Sequence, residues 1–210
     1  IRAALQSEGY RAPEHGGSWW KRSNRLWMES LCEEGIADGS LWRLTVRNLL
    51  DELQLLENQR DRVTRYLDAY LAAQAGGKLL MSIPGVGPRT AEAVLAYTDK
   101  VERFGNYKEY CAYFGVTPKL DESGSFRRMG HISKHGPSVV RWVLCESSWK
   151  VIRYCPSMRA FYERVRAGQS GRKKIAIVAV VRKLLCMMRA MLQSGELFNA
   201  RVMQDALAVA

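Results

Sequence analysis

The chain has little with which to bind a metal or stay oxidised. Its five cysteines, Cys32, Cys111, Cys145, Cys155 and Cys186, are scattered, and no two form a CxxC pair. An odd, dispersed set of thiols reads as reduced core residues, which excludes a disulfide framework or a zinc site. Histidines number three. His131 and His135 lie four apart, but no Glu or Cys completes a ligand set around them. Asp121 and Glu122 are too few acids to hold magnesium, so no metal site is expected on this chain. Long apolar runs are also missing. Ile175 to Val181 is far too short to span a bilayer and is flanked by Arg172, Lys173, Lys174, Arg182 and Lys183. No secretory signal opens the sequence. A soluble, cytoplasmic protein with no membrane partner is expected.

Acids are scarce in one part only. Residues 1–80 carry 11 Lys/Arg and 11 Asp/Glu, whereas residues 81–210 carry 21 Lys/Arg against 10 Asp/Glu. The whole net charge of +11 therefore lies in the second segment. A basic half joined to a neutral half points to a polyanion as partner, the plainer alternative being a solvated Lys/Arg face.

The basic segment opens on Ile83-Pro84-Gly85-Val86-Gly87-Pro88-Arg89-Thr90-Ala91. Two glycines two residues apart allow a tight turn, and Pro88 suits the first position of a helix. The free N–H groups and positive dipole end of such a helix face whatever sits on the turn. The pattern predicts a helix-hairpin-helix, with Leu79 to Met81 ending one helix and Ala91 to Tyr97 within the next. Gly85, Gly87, Arg89 and Thr90 are its expected nucleic-acid contacts. The bland alternative is a Gly-Pro turn between packed helices.

The expected fold is mainly α. Residues 1–40 read as the tail of a preceding domain and a linker, in which Trp19 to Leu31 suggest a short helix. Residues 41–77 read as one long helix. Trp42, Val46, Leu49, Leu53, Leu56, Arg60, Val63, Leu67 and Tyr70 follow steps of four and three, a heptad seam with Arg60 as its polar position. Such a seam needs another helix, from this chain or a second copy. Self-association through Val46, Leu49, Leu53, Leu56, Val63 and Leu67 is the favoured expectation, with Gly76-Gly77 ending the helix. Residues 78–210 form the remaining domain. It contains the hairpin, a short helix near Phe104 to Phe114, and a helix from Pro137 to about Tyr154 burying Val139, Val140, Val143, Leu144 and Trp149. A helix from Ser157 to Arg166 and a central one from Arg172 to Leu192 follow.

Between Gly115 and Gly136 lies a turn-rich span with three serines and four glycines among basic and imidazole side chains. A small β-hairpin between Val116 and His131 is the one expected piece of sheet. Loops on a rigid scaffold often carry function. Arg127, Arg128, Lys134 and His135, with Arg141 just beyond, are candidates to hold phosphate and stabilise developing charge. An ordinary basic loop against phosphates is the alternative.

Three stretches in this order, IPGVGPRTA (83–91), YCAYFGVTP (110–118) and ESGSFRRMGHISKHGPSVVRWVL (122–144), resemble the C-terminal transposase domain of the insertion-sequence 110 family. These are DEDD-type transposases related to pilin-gene invertases. The resemblance covers residues 79–193, and the long preceding helix matches the family's layout. It implies a bacterial, nucleoid-associated recombinase guided by a bridging RNA, with element ends and target as double-stranded DNA partners and a dimer or tetramer as the assembly. It implies an N-terminal RuvC-like domain, of which residues 1–20 would be the end, whose DEDD acids bind Mg2+. It implies a serine nucleophile that precedes a glycine after the GVTP-like stretch, which falls on Ser123. Ser133 is the second candidate and Ser125 the third. Without the DEDD domain the chain alone is expected to be inactive. A non-catalytic nucleic-acid-binding and dimerisation module, and a coiled-coil scaffold with a basic surface, are the alternatives.

Overall fold

A computed structural model describes residues 1–11, 17–33, 40–123 and 126–199, without the side chains of 120–129. Among these the chain is mainly helical, with one two-stranded sheet. The helices are α1 (Arg2–Ser7), α2 (Arg22–Glu33), α3 (Leu41–Ala73), α4 (Ala75–Met81), α5 (Pro88–Thr98) and α6 (Tyr107–Tyr113). The strands β1 (Pro118–Ser123) and β2 (Phe126–Ile132) precede α7 (Ser138–Tyr154), α8 (Pro156–Arg166) and α9 (Lys173–Ser194). The chain divides into two compact units, Ile1–Leu67 and Asp68–Ala210.

In the first unit, Leu5, Met28, Cys32, Val46 and Leu50 form a small core, with Tyr10, Trp19, Trp27 and Trp42 packed against it. Arg25 of α2 donates to Glu57 of α3 at 2.8 Å. The first part of the seam is thus covered by this chain's own α1 and α2. Val46, expected at an interface between copies, is instead buried within the unit, because α2 supplies the apolar face that the helix requires. Leu49, Leu53 and Leu67 are half-buried, whereas Leu56 and Val63 are exposed.

The second unit is built around α9. Ala176, Ile177, Val180, Val181, Leu184, Leu185, Met187, Met188 and Met191 are all buried, as expected of a helix apolar on most faces. Against it pack α4, α6, α7 and α8, and α5 packs in turn on α4 and α7. Asn106 caps α6, its side chain accepting from the Glu109 N–H at 3.0 Å while Glu109 accepts from the Gly105 N–H at 2.8 Å. This reciprocal cap satisfies donors at the helix start that would otherwise be unmet. The buried Tyr110 hydroxyl meets Thr98 Oγ1 at 2.7 Å, tying α6 to α5.

Two local expectations are corrected. The long helix ends at Ala73, where Gln74 turns extended, and Gly76 and Gly77 fall inside α4. On α7 the inward face carries Val140, Leu144, Ser147, Ser148, Val151 and Ile152. Val139 is 62% exposed and Trp149 45%. The apolar count of α7 did not mark its buried stripe, because two serines lie on it.

Candidate nucleic-acid interface

Ile83 to Val86 makes a tight turn between α4 and α5. Val86 N–H donates to the Ile83 carbonyl at 3.0 Å, with Pro84 and Gly85 in the middle and Gly85 at φ +95°. That is the arrangement of a type II turn, in which the third residue needs positive φ. A Cβ on Gly85 would lie 2.6 Å from the Val151 nitrogen and 2.7 Å from the Lys150 carbonyl carbon. Ser147 Oγ donates to the Gly85 carbonyl at 3.0 Å. Gly85 therefore seats the turn on α7.

Gly87 is the N-cap of α5 and has open space where a Cβ would stand. Its carbonyl accepts from Thr90 and Ala91. The Gly87 and Arg89 N–H groups have no acceptor among the described residues, so the outward side of the turn offers free donors at a helix start. The other two expected contacts are differently placed. Thr90 is buried at 7% exposure, so its side chain faces the core. Arg89 pairs with Asp68 and, at 2.7 Å, with Glu92. Both partners are partly exposed, and such surface pairs are cheaply exchanged for a phosphate.

The span between Gly115 and Gly136 is an antiparallel arm. Ser123 pairs with Phe126, Glu122 with Arg127, Asp121 with Arg128 and Leu120 with Met129. Pro118 pairs with Ile132, a one-residue shift that marks a bulge near the base of β2. Ser123 ends β1 at the far end, roughly 20 Å along the strand from the base at ~3.3 Å per residue. Ser133 lies at the base, half-buried, its N–H donating to the Thr117 carbonyl at 2.8 Å. The two leading serine candidates thus occupy opposite ends of the arm. Ser125 lies outside the described residues, and so do the side chains of Ser123, Arg127 and Arg128.

The base of the arm is clamped. A Cβ on Gly115 would lie 1.9 Å from the His135 carbonyl oxygen, and one on Gly136 would lie 2.1 Å from that of Tyr113. Both glycines have positive φ, so the two chain segments cross where no side chain fits. Lys134 N–H donates to the Gly115 carbonyl at 3.1 Å. Arg141 Nη1 donates to the carbonyls of Gly136 at 2.8 Å, His135 at 3.0 Å and Phe114 at 3.5 Å. Arg141, expected to hold phosphate, thus ties the arm to α7. Lys134 and His135 are exposed at this base, with Lys134 in the left-handed region at φ +57°. Non-glycine residues adopt that region rarely, and such strain gathers at working sites.

Sequence reading missed the Ser147–Gly85 bond, the crossing of Gly115 and Gly136, and the buried Lys183. It also missed the sulfur pair of Cys111 and Cys186, 4.0 Å apart. The glycine spacing was the available signal for the clamp. Cys186 is lowered to about 7 by its hydrogen bond with Cys111 and by Lys183, Arg182 and Arg189 nearby, while that bond and burial push Cys111 up. No group of three or more His, Cys, Asp or Glu suited to a metal occurs among the described residues.

Residues 77–163, from α4 into α8, match the model of a class of transposase domains. The description of that model is "Transposase IS116/IS110/IS902 family", and this stretch of the chain is similar to it. A "Probable family 20 transposase" of Pseudomonas aeruginosa is 31% identical over 135 residues, 64% of this chain and 40% of that protein. A protein of insertion element IS110 from Streptomyces coelicolor is 25% identical over 159 residues, 76% of this chain and 39% of its own length. The pilin gene-inverting protein of Moraxella lacunata is 27% identical over 161 residues, 75% of this chain and 48% of its own. The chain thus spans less than half the length of these relatives. No helix among the described residues is long and apolar enough to cross a membrane.

Proposed function

We propose that this chain is the C-terminal part of a DNA transposase or recombinase that binds double-stranded DNA and a guide RNA, with Ser123 as the nucleophile for strand cleavage and exchange. The observation that carries the reading is the family match over residues 77–163, which contains the whole arm and both serine candidates. A clamped arm with a serine at its free end suits a group that must reach a strand held elsewhere, since the rigid base fixes where the tip can go. The hairpin of α4 and α5 acts as a helix-hairpin-helix, its free N–H groups meeting phosphate.

In the proposed step Ser123 Oγ gives its proton to a base and bonds to phosphorus. The P–O bond to the sugar breaks, and the leaving oxygen takes up a proton. One phosphodiester becomes another, so the energy for rejoining is retained. A lone serine hydroxyl is a weak nucleophile. The described residues do not fit the magnesium expected of such enzymes. We assign that ion to acids outside this chain, and the chain alone is inactive in recombination. The exposed part of α3 brings copies together as a dimer or tetramer, and the protein works at the bacterial nucleoid.

The test uses the parent polypeptide with guide RNA, magnesium and a nicked suicide DNA, resolved on a denaturing gel. Wild type gives a covalent adduct, which Ser123→Ala abolishes and Ser133→Ala keeps. Loss with Ser133→Ala alone moves the nucleophile to the arm's base. No adduct from active wild type removes the serine mechanism and leaves a binding and assembly module.

A further inference from the structure

At the foot of the arm, Val116, Ile132, Lys134, Arg141, Trp142, Cys145, Val178 and Val181 line an open apolar cavity of about 270 Å³. Its rim is cationic. Of its two lining cations, Lys134 is exposed, and Arg141 is the residue whose guanidinium ties the arm to α7. Glu146 follows Cys145 on α7 and is exposed.

Trp142 is 64% exposed. Trp149, the other tryptophan of this unit, packs edge-on against Tyr162 at 5.7 Å. The Trp142 ring has no aromatic or cationic partner among the described residues. An exposed indole over an apolar recess, with the exposed Lys134 in its lining, matches what an unpaired base requires. The base ring stacks on it, the recess excludes water, and the exposed Lys134 meets a flanking phosphate. An apolar peptide would use the recess but not the charge, and a duplex would use the charge but not the recess.

We propose that this recess binds an unstacked base of a single-stranded segment of the nucleic acid, with Trp142 as its stacking platform. The site rests on the reading that the chain binds nucleic acid. It holds a displaced strand at the base of the arm, so that the strand's neighbouring phosphates run toward the arm.

The test titrates this full chain against three fluorescein-labelled probes, followed by anisotropy. The probes are a short oligothymidine, the same backbone with abasic sites, and the matching duplex. Trp142→Ala weakens oligothymidine roughly tenfold, within the range of one lost stack. It leaves the abasic and duplex probes unchanged, and Trp142→Phe keeps most of the affinity. Oligothymidine binding untouched by Trp142→Ala overturns the inference while duplex binding upholds the broader reading. Failure of wild type to bind any probe removes that broader reading and this site with it. A fall in mass by light scattering for Trp142→Ala assigns the recess to a second copy and also overturns it.

Discussion

Replacing the two glycines of the α4–α5 turn separates support from contact. Gly85→Ala forces a left-handed residue to carry a Cβ, at ~1–2 kcal/mol. That Cβ meets the Val151 nitrogen at 2.6 Å, where helix backbone rather than a flexible side chain must yield. Overpacking of this kind costs about 1–3 kcal/mol. The move also strains the Ser147 bond to the Gly85 carbonyl, worth about 1 kcal/mol. A loss of roughly 3–6 kcal/mol is expected, a fall in Tm on the order of 10 °C. Gly87→Ala meets nothing within 4 Å and keeps an ordinary φ of −96°. It costs under about 1 kcal/mol, the scale of an N-cap change. Its methyl group instead stands where a phosphate would approach the free N–H groups, so affinity for duplex DNA falls severalfold. Urea unfolding of both variants, with anisotropy on the same samples, checks the pair. A Gly85→Ala protein as stable as Gly87→Ala refutes the packing account, and full binding by Gly87→Ala refutes the contact account.

Arg141→Ala removes the donor that three carbonyls share, and a loss of about 2–3 kcal/mol in urea unfolding is expected, with faster proteolysis in the arm. An unchanged midpoint would mean that the clamp does not need the guanidinium. Leu56→Lys with Val63→Lys places charge on the exposed part of the seam, so light scattering is expected to show a smaller assembly while circular dichroism stays constant. An unchanged mass would rule out that face as the contact between copies. Cys186 is expected to be alkylated with half-maximal rate near pH 7, because Cys111 and nearby cations favour its thiolate. Cys145, pushed up by burial, needs higher pH. Peptide mass spectrometry across a pH series reads both, and equal profiles would contradict the sulfur pairing.

Several elements were legible because one residue type decides them locally. Pro88 opens α5 as its fixed φ suggests, and the run from Ala176 to Met191 is central because it is apolar on most faces. The arm was legible only as a possible hairpin, since its strands lack the alternating apolar pattern that a buried face imprints. The orientation of α7 was not legible. Ser147 and Ser148 are buried there, and one of them is explained only by a carbonyl 62 residues away. Spacing marked α3 as one long helix. It did not tell which stretch this chain covers itself, because α2 reaches α3 only in three dimensions. The roles of Thr90 and Arg141 diverged from expectation for a similar reason. Their types suit phosphate, but core packing and three nearby carbonyls claim them.

The most direct test of the central claim is the identity of the residue joined to DNA. The trapped adduct of the parent polypeptide is digested with nuclease and trypsin, and the nucleotide-bearing peptide is sequenced by mass spectrometry. Cleavage after Lys119 and Arg127 releases Leu120 to Arg127, and cleavage after Arg128 and Lys134 releases Met129 to Lys134. The account predicts the nucleotide on the first peptide, with fragmentation placing it on Ser123. A nucleotide on Ser133 in the second peptide, or on neither, would contradict it.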